Sequence, residues 1–476
     1  MTTLLLILIF GLLALALSEG NWRYGLLVTV AMGFLQDPIR KITPNQPSLM
    51  VGLSLVAFAL CSMVLLDRRG KFDLPAMLWT IPQLGDWLPI FYALIALQSV
   101  NSFLRFNDPV LTAIGAAFYI APLVGLWVGY HVGCNQQLLR QLIQVYVAFC
   151  AIFAFTVFLD FRGVVTPLFE EVGGGILITL EGYSAPGASG LWRTSEIASW
   201  HLAAGACLAA ALGLSSREST SQIGFLLLTA GFTFVSIFTG RRKAQALVLV
   251  FAAIYMLLFS RRANAASRER VILSVLGATG LAFGVYIFFL ANNLGQDFPE
   301  FLNRTLTIGE DAGGRFEAQG LGAILRGAQI SGGFGLGVGA GSQTGNFSVG
   351  AARQSIQSLG YVTEGGGGKI VVELGYPGIV VLGMMAFLLV LMLWRNFRLL
   401  SSLPYSTSAL LMGVAAFPIA NIGIFTSAGQ LYNDPFVLIM LAICLGSFFA
   451  VPSLVALHQY QLQSQSQQRA LAMTSR

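Results

Sequence analysis

Long apolar runs, most of them close to the length of a membrane crossing, alternate along this chain with short polar breaks. An α-helix needs about 20 apolar residues to cross a bilayer. The candidate spans are Thr3–Ser18, Tyr24–Leu35, Ser48–Leu66, Trp87–Leu104, Val110–Val132, Leu138–Phe161, Ile197–Leu214, Gln222–Thr239, Lys243–Phe259, Val271–Ala291, Ile370–Trp394, Ser406–Phe425 and Pro435–Ala456. The second run is short and reads as half of a hairpin with the first, so twelve to thirteen crossings are expected. A closed barrel would show short alternating segments instead. The pattern therefore predicts an all-α polytopic membrane protein. Thr3–Ser18 resembles a signal-peptide core but lacks a basic leading region and an A-x-A site, so it reads as a retained span.

One stretch breaks the rhythm. From Asn292 to Lys369 the chain turns to Gly, Ser, Gln and charge, including Glu310-Asp311, Arg315, six glycines between Gly332 and Gly341, and Glu364 followed by four more. Connections beyond about 15 residues without secondary structure are usually functional or disordered. This divides the chain into N-terminal spans (1–291), a long loop (292–369), C-terminal spans (370–456) and a tail (457–476).

Lys/Arg bias orients these spans. The basic loops around 260–270 and Trp394–Arg398 belong on the cytoplasmic side, as does the tail. The 292–369 loop, the Arg162–Arg193 loop and Gly240-Arg-Arg-Lys243 then fall outside. Three consecutive cations there oppose the usual bias. Ionisable residues near the membrane plane are costly and tend to mark a substrate path.

Composition agrees with the pattern: 56% hydrophobic and 10% charged, with mean hydropathy +0.75. The net charge of +6 sits mostly in short loops, where it meets lipid headgroups rather than nucleic acid. Five cysteines without a CxxC pair or Cys/His cluster argue against disulfide scaffolds and structural zinc. Neither an internal repeat nor a soluble second domain is evident.

Three outward-facing elements could carry chemistry: Arg241-Arg242-Lys243 at a helix start, Arg315, and Glu364. Arginine binds phosphate oxygens bidentately and keeps its charge when partly desolvated. Two arginine sites (Arg241/Arg242 and Arg315) with a carboxylate (Glu364) suit transfer from a diphosphate donor. The arginines would hold the departing diphosphate and Glu364 would take the proton from an attacking hydroxyl. His201 and Glu317 are candidate acceptor-binding residues, although a histidine in such a span is more often packed in a core. The glycine-rich run lacks a following GK[ST] and a βαβ unit, so a nucleotide site is not expected. Its glycines would instead let the loop fold tightly against membrane or substrate. Glu310-Asp311 is a weak metal signal. Neither a cofactor nor a catalytic metal is expected.

Three of these features resemble the O-antigen ligase/polymerase family of bacterial envelope enzymes, the Wzy-like polymerases and WaaL-like ligases. Thr239-Gly240-Arg241-Arg242-Lys243-Ala244 is similar to the family's T-G-S-R-G-x motif. Arg315, followed by a G-x-G-x-G stretch, stands in a long outer loop. Glu364-Gly365, with Glu373-Leu374-Gly375-Tyr-Pro-Gly378, resembles the H-N-x-x-L…E-L-G-x-x-G signature. Glu364 stands where the ligases have histidine, which fits a polymerase better. The resemblance implies a metal-independent GT-C-type glycosyltransferase. It would act on undecaprenyl-diphosphate-linked glycans as donor and acceptor, polymerising repeat units into O-antigen or exopolysaccharide. A flippase and a chain-length regulator are the protein partners it suggests. Alternatives are an O-antigen ligase or protein O-oligosaccharyltransferase and, in another class, a lipid-linked sugar flippase. Transporters favour inverted repeats and midplane charges, whereas the polar groups here gather at one face.

The orientation can be tested with single cysteines at Ser260 and Ser342 in a background without native cysteines. An impermeant thiol reagent added outside should label position 342 and spare 260. The reverse pattern would invert the molecule.

Overall fold

The computed structural model describes residues 2–18, 20–172, 177–179, 184–260, 301–303, 313–314, 316–341, 365–427 and 429–474. Apart from one short antiparallel pair, β1 (Leu177–Thr179) and β2 (Ser184–Pro186), the regular structure among the described residues is helical. In chain order the main helices are α1 (Thr2–Ser18), α2 (Trp22–Ile42), α3 (Leu53–Arg69), α4 (Leu74–Met77), α5 (Gln83–Phe106), α6 (Pro109–Gly133), α7 (Gln136–Phe161), α8 (Ser195–Ser215), α9 (Ser219–Val235) and α10 (Arg242–Ser260). They continue with α11 (Gly322–Ser331), α12 (Gly366–Leu399), α13 (Tyr405–Ser427), α14 (Pro435–Phe449) and α15 (Val451–Thr474). Among the described residues, ten helical segments are long and apolar enough to cross a membrane. The expected span Val271–Ala291 lies outside the described residues, as does most of the 292–369 loop.

The bundle has two distinct ends. At one, Lys41 Nζ at the close of α2 donates to the carbonyls of Leu168 (2.9 Å) and Gly190 (2.8 Å). Asp160 Oδ2, at the close of α7, accepts from the amides of Ser189 (2.7 Å) and Gly190 (2.8 Å). At the other end, Arg140 reaches the carbonyls of Ser215 (3.3 Å) and Ser406 (3.4 Å), and Arg395 reaches that of Thr80. α7 and α8 thus run in opposite directions between the two ends.

Three boundaries differ from the hydropathy reading. The short span Tyr24–Leu35 is part of a full helix, Trp22–Ile42. Its last turns carry Asp37, Arg40 and Lys41, yet Asp37 and Lys41 are buried against protein, so a lipid-based criterion misses them. The tail from residue 457 is helical, continuing α15 to Thr474. Within the long loop, α11 is regular helix and α12 begins at Gly366, before the apolar run at Ile370.

Packing along the centre is very close. Gly125, Gly129 and Gly133 recur every fourth residue on α6 and face α14. A Cβ on Gly129 would stand 2.4 Å from the Ile443 carbonyl oxygen. Small residues at this spacing let helix backbones approach where dispersion, rather than the hydrophobic effect, supplies the attraction. α8 is the innermost span, with nearly every residue from Ser195 to Ser215 buried.

The glycine run Gly332–Gly341 enters the bundle between α5, α6 and α12. Leu336, Val338 and Ala340 point into protein and are buried, while the intervening glycines lie against backbone. Gly337 has φ +105°, and a Cβ there would meet Ser102 backbone at 2.5 Å. Receiving this segment, α12 breaks at Gly375 (φ 68°, ψ −166°). The amides of Leu336 and Tyr376 donate to Val372 O (2.7 Å) and Gly333 O (2.8 Å) across the break. Irregular backbone at membrane depth is tolerated only where protein or a water-lined cavity meets its polar groups.

Gly337→Ala should therefore lower thermal stability in detergent by roughly 1–3 kcal/mol, combining strained φ with a backbone clash. Gly383→Ala, in mid-helix with nothing within 4 Å, should be neutral or raise stability by about 0.4–1 kcal/mol. Equal melting points for the two variants would refute this account of the glycine run.

Candidate functional site

The polar residues of the α2/α8 end gather around two helix starts. α8 is capped by Thr194, whose hydroxyl accepts from Ile197 N at 3.3 Å. α9 closes in a 3-10 turn, Ser236–Thr239, and Gly240 (φ 62°) reverses the chain into α10. That reversal places Arg241 beside α8, where its Nε donates to Ser195 Oγ at 3.2 Å. The Ser195 amide in turn donates to Glu171 Oε1. One residue on, Lys243 Nζ pairs with Glu196 Oε1 at 3.0 Å. Arg241, Arg242 and Lys243 are all partly exposed. The other oxygen of Glu171, Oε2, is buried with no hydrogen-bond partner among the described residues. Burial is the main influence on the Glu171 carboxyl and raises its pKa above the ordinary value, against the pull of Ser195, Arg241 and Lys41.

Beneath this rim sits Arg193. Its Nη1 lies 3.0 Å from Asp37 Oδ1 and 2.7 Å from Asp434 Oδ2. Its own amide donates to Asp37 Oδ2 at 3.2 Å. Burial opposes the guanidinium charge, but the two carboxylates outweigh it and hold the pKa above the usual arginine value. Asp434 Oδ1 also caps α14, accepting from Phe436 N (2.8 Å) and Val437 N (3.3 Å).

Asn433, the neighbour of Asp434, joins this group to a second one on α12. Its Oδ1 accepts from Lys369 Nζ at 2.8 Å, and that ammonium stands 5.2 Å from the Phe118 ring centroid and 5.8 Å from that of Tyr119. One turn later Glu373, 1% exposed, accepts from Tyr119 Oη at 2.6 Å and from Gly341 N at 3.2 Å.

Of the residues singled out from sequence, Arg241 and Arg242 fall at this end, in company with Ser195, Glu171 and Glu196. Arg315 and Glu364 lie outside the described residues, as do Glu310 and Asp311. Glu317 is exposed on a short π-helical turn, Phe316–Leu321, which packs beside Gly365 through the Gln319 backbone. His201 is corrected from candidate acceptor ligand to core residue. It is 1% exposed, its Nδ1 lies 2.7 Å from Tyr146 Oη, and it is stacked against Trp192 and Phe436. No surface of it is left for an acceptor.

Sequence reasoning missed Arg193, Asp37 and Asp434 because each stands in an unremarkable loop or helix end. The available signal was the cost of an acid at the edge of an apolar span, which calls for a partner. No protein-family model matches the chain, and no curated protein does either.

Removing one member of a buried ion group leaves an uncompensated charge and costs about 3–5 kcal/mol. Arg193→Ala should thus melt far below the parent or fail to accumulate. Adding Asp37→Asn and Asp434→Asn should recover much of the loss. A triple variant no better than Arg193→Ala would show that the carboxylates are not what Arg193 balances.

Proposed function

We propose that the chain is a membrane glycosyltransferase of GT-C type. It polymerises undecaprenyl-diphosphate-linked repeat units into O-antigen or exopolysaccharide at the periplasmic face of a bacterial inner membrane. The observation that carries the reading is the cationic start of α10. Arg241 and Lys243 stand half-buried in one cluster with Ser195, Glu171 and Glu196, and the half-buried Arg242 lies between them in the chain. A partly desolvated guanidinium at such a place is suited to holding a diphosphate. The resemblance of Thr239–Ala244 and Glu373–Gly378 to the ligase/polymerase motifs adds to it.

In this reading Arg241, Arg242 and Arg315 neutralise the leaving diphosphate. Glu364 takes the proton of the acceptor hydroxyl. The glycan passes from one lipid carrier to the terminal sugar of the next repeat unit. Charge on the leaving group is met by arginines, so the reaction needs no divalent cation.

The experiment is complementation of a deletion strain, with polymer length read on gels and protein level read in membranes. Arg241→Ala and Arg315→Ala should abolish polymer while protein still inserts, since each charge-assisted bond contributes roughly 1.5–3 kcal/mol. Arg315→Lys should rescue only partly. Glu364→Gln should stall turnover, and a chelator should leave it unchanged. Normal polymer from Arg315→Ala cells would remove that residue from the mechanism. Activity lost in chelator and restored by Mg²⁺ would replace the metal-free scheme.

A further inference from the structure

At the opposite end of the bundle, α4, α5, α6 and α12 enclose a cavity of about 310 Å³ whose walls include Phe72, Leu88, Leu123, Trp127 and Met385. That is roughly the volume of ten waters at ~30 Å³ each. Its lining is almost wholly apolar. Phe72 is 46% and Tyr92 44% exposed, so the cavity reaches the lipid-facing surface. The wall carries one polar anomaly. Trp127 is 1% exposed, and its Nε1 has no hydrogen-bond partner among the described residues. One turn along α6, His131 Nε2 is likewise buried without a hydrogen bond among the described residues, and Asp73 Oδ2 stands 3.9 Å away.

An indole N–H can only donate, and a buried donor left unpaired is costly. The missing group is therefore an acceptor that arrives with an apolar body. Trp127 lies six residues before the end of α6, about 9 Å along the axis at 1.5 Å per residue. That depth is where tryptophans meet the carbonyl and headgroup region of a bilayer. The mouth is basic. Phe72 follows Arg69-Gly70-Lys71 in the chain, and Arg395 stands near the close of α12, with Asp73 as the acid beside His131. Arg395 is held over this region by its bond to the Thr80 carbonyl.

We infer that this cavity binds one glycerophospholipid with an anionic headgroup. An acyl chain fills the apolar space, the ester carbonyl accepts from Trp127 Nε1, and the phosphate lies among Arg69, Lys71 and Arg395. The site is remote from the Arg241 cluster, and the inference does not depend on the glycosyltransferase reading.

Native mass spectrometry of the full chain, purified in mild detergent and titrated with phosphatidylglycerol or phosphatidylcholine, tests it. The parent should bind phosphatidylglycerol about tenfold more tightly. Trp127→Phe should weaken both lipids several-fold, and Leu123→Trp, which fills the cavity, should abolish retention. Arg69→Glu with Lys71→Glu, an exposed pair whose exchange leaves the core untouched, should erase the headgroup preference while phosphatidylcholine still binds. Should Leu123→Trp fail to fold, Trp127→Phe and the charge pair still decide. Equal binding of the two lipids by the parent, or retention indifferent to both Trp127→Phe and the charge reversal, would overturn the assignment.

Discussion

A single guanidinium ties together one end of this molecule. Arg193 lies between Asp37 of α2 and Asp434 at the start of α14, three positions far apart in sequence. Each charge is tolerable at this depth only because the others are present. Geometry follows from that requirement. The Arg162–Arg193 connection must fold back over the bundle to deliver Arg193, and Lys41 and Asp160 hold it there through its backbone. α8 then starts at a defined height, which sets Ser195 where Arg241 meets it.

A second requirement shapes the adjoining part. Backbone that is neither helix nor sheet cannot face hydrocarbon, so Gly332–Gly341 is accepted only inside a protein-lined slot. Alternation of glycine with Leu, Val and Ala makes the segment two-sided. Side chains go to small hydrophobic contacts and bare backbone goes to Ser102, Leu111 and the broken turn at Gly375. Glu373 and Tyr119 fasten its exit at Gly341. The glycine run is thereby part of the framework that places Lys369 and Asn433 beside the Arg193 group.

The two ends differ in chemistry. The Arg193 end concentrates paired charges and hydrogen bonds among helix termini. The opposite end carries a basic rim over an apolar cavity, with Trp127 as its polar exception.

Much of the architecture was legible in the order of residues, because a bilayer imposes a length and a polarity that can be read without coordinates. Helical class, most spans and the placing of Arg241-Arg242-Lys243 at a helix start follow from hydropathy. The four-residue glycine spacing on α6 carried no reading by itself, because only the facing helix α14 shows that it is a contact. Tertiary structure alone decided which charges meet. Asp37 is a lone acid in an apolar helix until Arg193 arrives from beyond α7, and His201 looks like a candidate acceptor-binding residue until Tyr146, Trp192 and Phe436 surround it. Burial and pairing depend on neighbours hundreds of positions away. The chain by itself states which groups are costly in lipid, and the fold determines what compensates each of them.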